Sequence, residues 1–145
     1  MKPLVNNHTD RSKTSVGTSV FVVDDNRHVR ESLAMFLKQS DIDAESYPSI
    51  EAFLQGHRPR RRACLLLDHH LQGGTTGLEF LRSLECGALQ IPVILMTAAR
   101  SEALQAEALA AGAVAYLEKP FDCSTLITTI YAVLAAPIPA TLSAS

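Results

Sequence analysis

The sequence has no tryptophan, only 6% aromatic residues and three cysteines, and its charges nearly balance. The cysteines are odd in number, lie far apart and include no CxxC pair, which argues against a disulfide framework or a zinc site and favours a reducing compartment. No segment reaches the roughly eighteen consecutive apolar residues of a membrane-spanning helix, and the polar residues 1–18 lack the apolar run of a secretory signal. We therefore expect a cytoplasmic protein with no part in a membrane.

The charge balance also bears on nucleic-acid binding. Against 15 Asp and Glu stand 13 Lys and Arg, which gives a formal net charge of -2, whereas a domain that binds DNA or RNA normally carries a basic patch or stripe. The run HRPRRR at 57–62 is basic, but a single basic loop between a helix and a strand is usually only solvated. We expect no nucleic acid to be bound by this domain alone.

The length and the pattern describe one domain. A chain of 145 residues is long enough to bury a core without a disulfide or a structural metal. Residues 1–18 and 137–145 are polar or rich in small residues and proline and show no periodicity, so we expect flexible tails on either side of a domain at 19–136.

Between these tails, apolar runs of strand length alternate with amphipathic stretches of helix length. Strands are predicted at 19–23, 43–47, 63–67, 92–96 and 114–117, and helices at 27–40, 49–55, 77–85, 101–111 and 122–136. In the first helix, the apolar stripe that we expect to face the core consists of Val29, Leu33, Phe36 and Leu37. Five strands alternating with five helices predict a doubly wound α/β fold, in which a five-stranded parallel sheet carries helices on both faces.

Polar side chains stand where the predicted strands end, at Asp24, Asp25, Asp68, Thr97 and Lys119. The carboxyl ends of parallel strands share one edge, where doubly wound folds bind ligands. Three carboxylates there would repel one another by about 4 kcal/mol per pair at about 4 Å and an effective dielectric of about 20, so positive charge is needed among them. Oxygen ligands suit Mg²⁺, and a carboxylate, a hydroxyl and an ammonium group beside Mg²⁺ form what phosphoryl transfer requires. The pattern predicts a phosphoryl acceptor.

Four motifs in this order and spacing resemble the receiver domain of bacterial response regulators: Val22-Val23-Asp24-Asp25, Leu66-Leu67-Asp68, Leu95-Met96-Thr97-Ala98 and Leu117-Glu118-Lys119-Pro120-Phe121. The resemblance covers about residues 18–136 and is closest to the FixJ branch of that family. It implies the flavodoxin-like or CheY-like fold with strand order 2-1-3-4-5. It also implies a phosphorelay function, in which a histidine kinase or a phosphotransfer protein supplies the phosphoryl group.

The resemblance assigns roles to individual residues. Asp68 would be the phosphoacceptor, with Asp24, Asp25, Asp68 and the main-chain carbonyl of His70 holding Mg²⁺. Thr97 would donate its hydroxyl to the phosphoryl group, Lys119 would pair with another of its oxygens, and the Lys119-Pro120 bond would be cis. Thr97 and the aromatic switch residue Tyr116 would carry the signal to the face around helix 101–111, strand 114–117 and helix 122–136.

The loop after Asp68 departs from the family pattern. Family members commonly have a proline four residues after the acceptor and a glycine eight residues after it, where this chain has Gln72 and Thr76. Gly77 comes nine residues after Asp68, so the loop holds one extra residue, and the pair Gly73-Gly74 loosens it. The side chain of His70 occupies a position that tunes the lifetime of the phosphoryl group in the family.

Alternatives to a phosphorylated switch remain open from the sequence. The altered loop allows a phosphorylation-independent interaction domain, and the run Asp68-His69-His70 resembles the signature of metal-dependent phosphoesterases, although their further Asp and His clusters are missing. The first hypothesis is a signalling domain that turns over no metabolite and acts on a downstream protein target, with a phosphorylation-dependent dimer as one possible state. It allows an adaptor, a phosphate sink, or the receiver part of a longer transcription factor.

Overall fold

The structure, a computed structural model, describes residues 18–58 and 62–135. Its centre is a sheet of five parallel strands in the order β2-β1-β3-β4-β5. The strands are β1 (Thr18–Val23), β2 (Asp43–Tyr47), β3 (Arg62–Asp68), β4 (Val93–Thr97) and β5 (Ala115–Glu118). The predicted parallel sheet and its strand order are thus confirmed. Thr18 opens β1, while the rest of the two expected tails and residues 59–61 of the basic loop lie outside the described residues.

Six helices lie in the described part of the chain, one more than the sequence predicts; five lie between strands and the sixth follows β5. They are α1 (Arg27–Gln39), α2 (Ile50–Gly56), α3 (Gly77–Leu81), α4 (Leu84–Leu89), α5 (Glu102–Ala110) and α6 (Cys123–Ala135). The helix expected at 77–85 is interrupted because Ser83 caps a new helix: its Oγ accepts a hydrogen bond from Cys86 N at 3.1 Å. The apolar periodicity continues across this break, so the sequence gives no sign of it.

The helices cover both faces of the sheet, and each face has its own core. Alternate residues of β3 point to opposite faces, so that Leu65 packs with the residues under α2 to α5 and Leu66 with those under α1 and α6. Both leucines are fully buried, and at such sites truncation to alanine costs about 2–5 kcal/mol. This two-sided burial explains why the central strands are uninterrupted apolar runs.

The predicted apolar stripe of α1 is confirmed at every position except Phe36. Leu33 and Leu37 are buried against the sheet and Val29 is half-buried, whereas 37% of Phe36 is exposed. Phe36 lies at the edge of the stripe, where the helix surface turns from the sheet toward solvent.

All three cysteines are free thiols, as the spacing predicts. Burial raises the pKa of Cys64 to about 12 and that of Cys86 to about 11, so neither is a reactive thiolate at neutral pH. In the part of the chain that the structure describes, no helix is both long and apolar enough to cross a bilayer.

Candidate functional site

The carboxyl ends of the strands bring together the polar residues that the sequence places there. Asp24 and Asp25 follow β1, Asp68 ends β3, and Thr97 ends β4. One carboxylate oxygen from each of the three aspartates lies within 4.8 Å of the other two. Together with Lys119, which follows β5, the aspartates line an open cleft of about 610 Å³.

Lys119 supplies the positive charge that this acidic group needs. Its Nζ lies 2.7 Å from Asp24 Oδ2 and 3.4 Å from Asp68 Oδ1. The Lys119-Pro120 bond is cis, as the resemblance implies, and Lys119 N donates to the Thr97 carbonyl at 2.7 Å. The lysine is therefore held at the end of β5, with its ammonium group between two buried carboxylates.

The surroundings of Asp68 favour the protonated, neutral form of its carboxyl group more strongly than water favours that of an exposed aspartate. Burial and then the charge of Asp24 raise the pKa of Asp68 to about 6, although Lys119 and a hydrogen bond from the main chain of His70 act in the opposite direction. Burial alone would lower the pKa of Lys119, but its hydrogen bond to Asp24 and the charges of Asp68 and Asp24 outweigh burial and raise that pKa. One lysine thus does not fully balance three carboxylates.

Three further hydrogen bonds reach the acid pair, Asp24 and Asp25, from residues that the sequence analysis did not assign to the site. Arg30 on α1 donates from Nη1 to the main-chain carbonyl of Asp24 at 2.7 Å, while Asp24 Oδ1 accepts from Asn26 N at 2.8 Å. The main-chain N–H of Gln72 donates to Asp25 Oδ2 at 2.9 Å. A cationic residue less than two helical turns after the acid pair could have indicated the contact of Arg30 from the sequence. The Gln72 contact depends on the shape of a loop and has no such signal.

Thr97 and Tyr116 lie on the neighbouring strands β4 and β5. Thr97 is fully buried, and its Oγ1 accepts from Ala99 N at 3.0 Å and lies 3.5 Å from His70 Nδ1. The Tyr116 hydroxyl is buried without a hydrogen-bond partner among the described residues. Burial and then the charge of Glu118 raise the pKa of Tyr116, so this hydroxyl stays neutral at physiological pH.

The loop with the extra residue keeps α3 close to the acceptor. A Cβ on Gly77 would lie 2.5 Å from the Asp68 carbonyl oxygen and 2.9 Å from His69 Cα, so only glycine allows this approach. Gly77 N donates to the His69 carbonyl at 2.9 Å. Farther out in the same loop, Gly73 and Gly74 have φ values of 100° and 103°, in the region that favours glycine.

The donor set of the site fits a hard divalent cation. The three aspartates offer carboxylate oxygens only, and the half-buried Asp25 opens onto the cleft. Oxygen ligands of this kind suit Mg²⁺, which is usually bound through one or two carboxylates together with oxygens of a phosphorylated group.

Comparison with known proteins identifies the class. Residues 20–131 match the response regulator receiver domain, and the chain belongs to that family. It is therefore a receiver of two-component phosphorelay signalling rather than a metabolic protein, and the predicted CheY-like fold is confirmed.

Within the family, the chain is FixJ-like. It is 38% identical over 115 residues to the transcriptional regulatory protein FixJ of Azorhizobium caulinodans. The aligned region covers 79% of this chain and 54% of that protein. It is 31% identical over 124 residues to the transcriptional regulatory protein TdiR of Thauera aromatica, with coverage of 86% and 54%. The chain thus spans about half the length of the curated relatives it matches. Among solved structures, FixJ-N has a TM-score of 0.73 at 32% identity and covers 84% of this chain and 97% of its own.

Proposed function

We propose that the receiver takes a phosphoryl group onto Asp68 from a histidine kinase or a phosphotransfer protein. The observation that carries this proposal is the setting of Asp68. Its buried carboxyl group ends β3, lies 3.4 Å from Lys119 Nζ, and is grouped with the carboxylates of Asp24 and Asp25. A nucleophile with a fixed cation and a cation-binding acid pair beside it fits phosphoryl transfer.

The transfer is a displacement at phosphorus. A carboxylate oxygen of Asp68 attacks the phosphorus of a phosphohistidine, the new O–P bond forms as the P–N bond breaks, and the leaving imidazole takes up a proton. The ammonium group of Lys119 offsets charge on the phosphoryl oxygens. The hydroxyl of Thr97 is the nearby donor for another of these oxygens: its oxygen accepts from Ala99 N, and its hydrogen can turn from His70 Nδ1, 3.5 Å away, toward the phosphoryl group.

Asp24, Asp25 and Asp68 would hold Mg²⁺, with the main-chain carbonyl of His70 as a further ligand. Bound Mg²⁺ supplies the positive charge that lets the acidic group and an incoming phosphoryl group lie together. The grouping of three carboxylates beside a single lysine supports this assignment. The carboxyl of Asp24 would act mainly through a water on the cation, since it already bonds Lys119 and Asn26 N.

Phosphorylation would then alter a surface through Thr97 and Tyr116. Movement of the Thr97 hydroxyl toward the phosphoryl group frees space beside β5, into which the unpartnered Tyr116 hydroxyl can move. The face next to it carries the exposed side chains of Leu109 on α5 and Val114 just before β5. This face is the proposed binding surface for a downstream protein or for a second phosphorylated copy.

The test is phosphorylation with a small acyl phosphate and Mg²⁺, followed by intact-mass measurement. We expect one added phosphoryl group on the wild type and none on Asp68→Asn. Asp43→Asn is the matched control, because Asp43 is an exposed aspartate at the amino end of β2, away from the cleft. It should gain the group like the wild type.

The same experiment separates the alternatives. With a phosphoester in place of the acyl phosphate, multiple turnover would favour a metal-dependent phosphoesterase. No mass gain in the wild type, together with no Mg²⁺ binding, would favour a phosphorylation-independent interaction domain. Equal gain in Asp68→Asn would show that another residue is the acceptor.

A further inference from the structure

The loop after the acceptor reaches back to one member of the acid pair. The Gln72 N–H donates to Asp25 Oδ2 at 2.9 Å, across 47 residues of sequence. No other hydrogen bond to the Asp25 side chain occurs in residues 18–58 and 62–135, so Oδ1 is left without a protein donor. The Gln72 side chain is exposed and makes no hydrogen bond within the same part of the chain. The donor to Asp25 is therefore the main chain of Gln72 and not its side chain.

This contact depends on the features that set the loop apart. Position 72, commonly proline in the family, is here a residue with an N–H to donate. Gly73 and Gly74, with φ values of 100° and 103°, make the turn that follows. Leu71 packs against the core formed under α2 to α5, which anchors the loop just before position 72. The backbone is thus anchored just before the donor by Leu71, and the glycines allow the turn just after it.

We propose that the main-chain N–H of Gln72 is a positioning group for the cation-binding carboxylate of Asp25. It fixes Oδ2 and leaves Oδ1 to the cation, so that the carboxylate is oriented before the cation arrives. The proposal rests on the proposed function of the same site. A hydrogen bond to a carboxylate ligand of a metal typically changes metal affinity by about ten- to a hundredfold, and a charged acceptor makes such a bond strong.

The test compares two substitutions at the same position. Gln72→Pro removes the N–H, whereas Gln72→Ala removes the side chain and keeps the N–H. Titration calorimetry with Mg²⁺ alone should show affinity reduced about tenfold in Gln72→Pro and close to that of the wild type in Gln72→Ala. Equal affinity in Gln72→Pro and the wild type would overturn the proposal, as would tighter binding in Gln72→Pro or an equal loss in both variants.

A second measurement needs neither a cation nor a folded proline variant. In the metal-free protein, amide hydrogen exchange at Gln72 should be slow in the wild type and at least tenfold faster in Asp25→Ala, because the acceptor is gone. Equal exchange in the two proteins would refute the hydrogen bond while leaving the proposed phosphorylation of Asp68 intact. A protected amide in a wild type that binds no Mg²⁺ would instead refute the proposed function, and with it the role of this donor toward a cation.

Discussion

At the scale of single residues, the site is a group of buried charges that is out of balance without a cation. Asp24 and Asp68 are both buried, and one ammonium group, that of Lys119, contacts both. Burial, and after it the charge of Asp24, raises the pKa of Asp68 to about 6. Isolating a charge from water is unfavourable unless it is fully paired. Asp68, the proposed acceptor, is therefore expected to lower the stability of the fold when no cation is bound.

The cost of Asp68 should be visible in the pH dependence of stability. The pKa of Asp68 is raised by burial from 3.8 to about 6 in the folded protein, so the folded state binds this proton more tightly than the unfolded state. The stabilising effect of protonation is complete at low pH and is lost as the pH rises through about 6. Asp68→Asn should therefore raise the free energy of unfolding by about 1–2 kcal/mol at pH 7.5 without metal, and this gain should shrink toward pH 4.

Urea unfolding of the wild type and Asp68→Asn at pH 7.5 and pH 4, with a chelator present to remove metal ions, measures this difference in the free energy of unfolding. Addition of Mg²⁺ should reverse it, because the cation stabilises the wild type and has fewer ligands in the variant. A less stable Asp68→Asn at pH 7.5 without metal would contradict the view that the acceptor carboxylate is destabilising.

At the scale of elements, the distance between β3 and α3 is set by one glycine. Gly77 opens α3 directly against the carbonyl of the acceptor residue. A capping box at Thr76 and Glu79 fixes the same helix end. The close approach of Gly77 and the capping box thus hold α3 against the end of β3 that carries Asp68.

Gly77→Ala should consequently destabilise the fold. Its Cβ would meet main-chain atoms of Asp68 and His69 at 2.5 Å and 2.9 Å, and forced shifts of this kind cost about 1–3 kcal/mol. Gly87→Ala is the matched control, since a Cβ at this position in α4 meets nothing within 4 Å and alanine favours a helix by about 0.5–1 kcal/mol. Thermal and urea unfolding should place the two variants on opposite sides of the wild type. A Gly77→Ala protein as stable as the wild type would contradict the close approach.

At the scale of the whole molecule, the sequence predicts the sheet and the site edge but not the contacts made by loops. Asp24, Asp68, Thr97 and Lys119 were predictable because apolar strands end abruptly at them, and a parallel sheet brings such ends to one edge. The break between α3 and α4 was not predictable, because the apolar period of the sequence continues through Ser83. The Gln72 contact was not predictable either, because it depends on how a loop with an extra residue folds over the cleft.

The proposed switch connects chemistry at the strand ends with recognition at a surface. The physical link is short: Thr97 and Tyr116 lie on adjacent strands, one with its hydroxyl bonded to a neighbouring amide and the other with its hydroxyl unpaired among the described residues. A buried hydroxyl without a partner beside a hydrogen-bonded one is the kind of arrangement that a local charge can shift.

The most direct measurement of this link is an amide NMR spectrum of the wild type before and after beryllofluoride and Mg²⁺ are added as a stand-in for the phosphoryl group. We expect changes at Asp68 and Thr97 that continue through Tyr116 to Leu109 and Val114, and no such changes in Asp68→Asn. Changes confined to the strand ends, or equal changes in Asp68→Asn, would contradict the claim that phosphorylation of Asp68 switches the surface around β5.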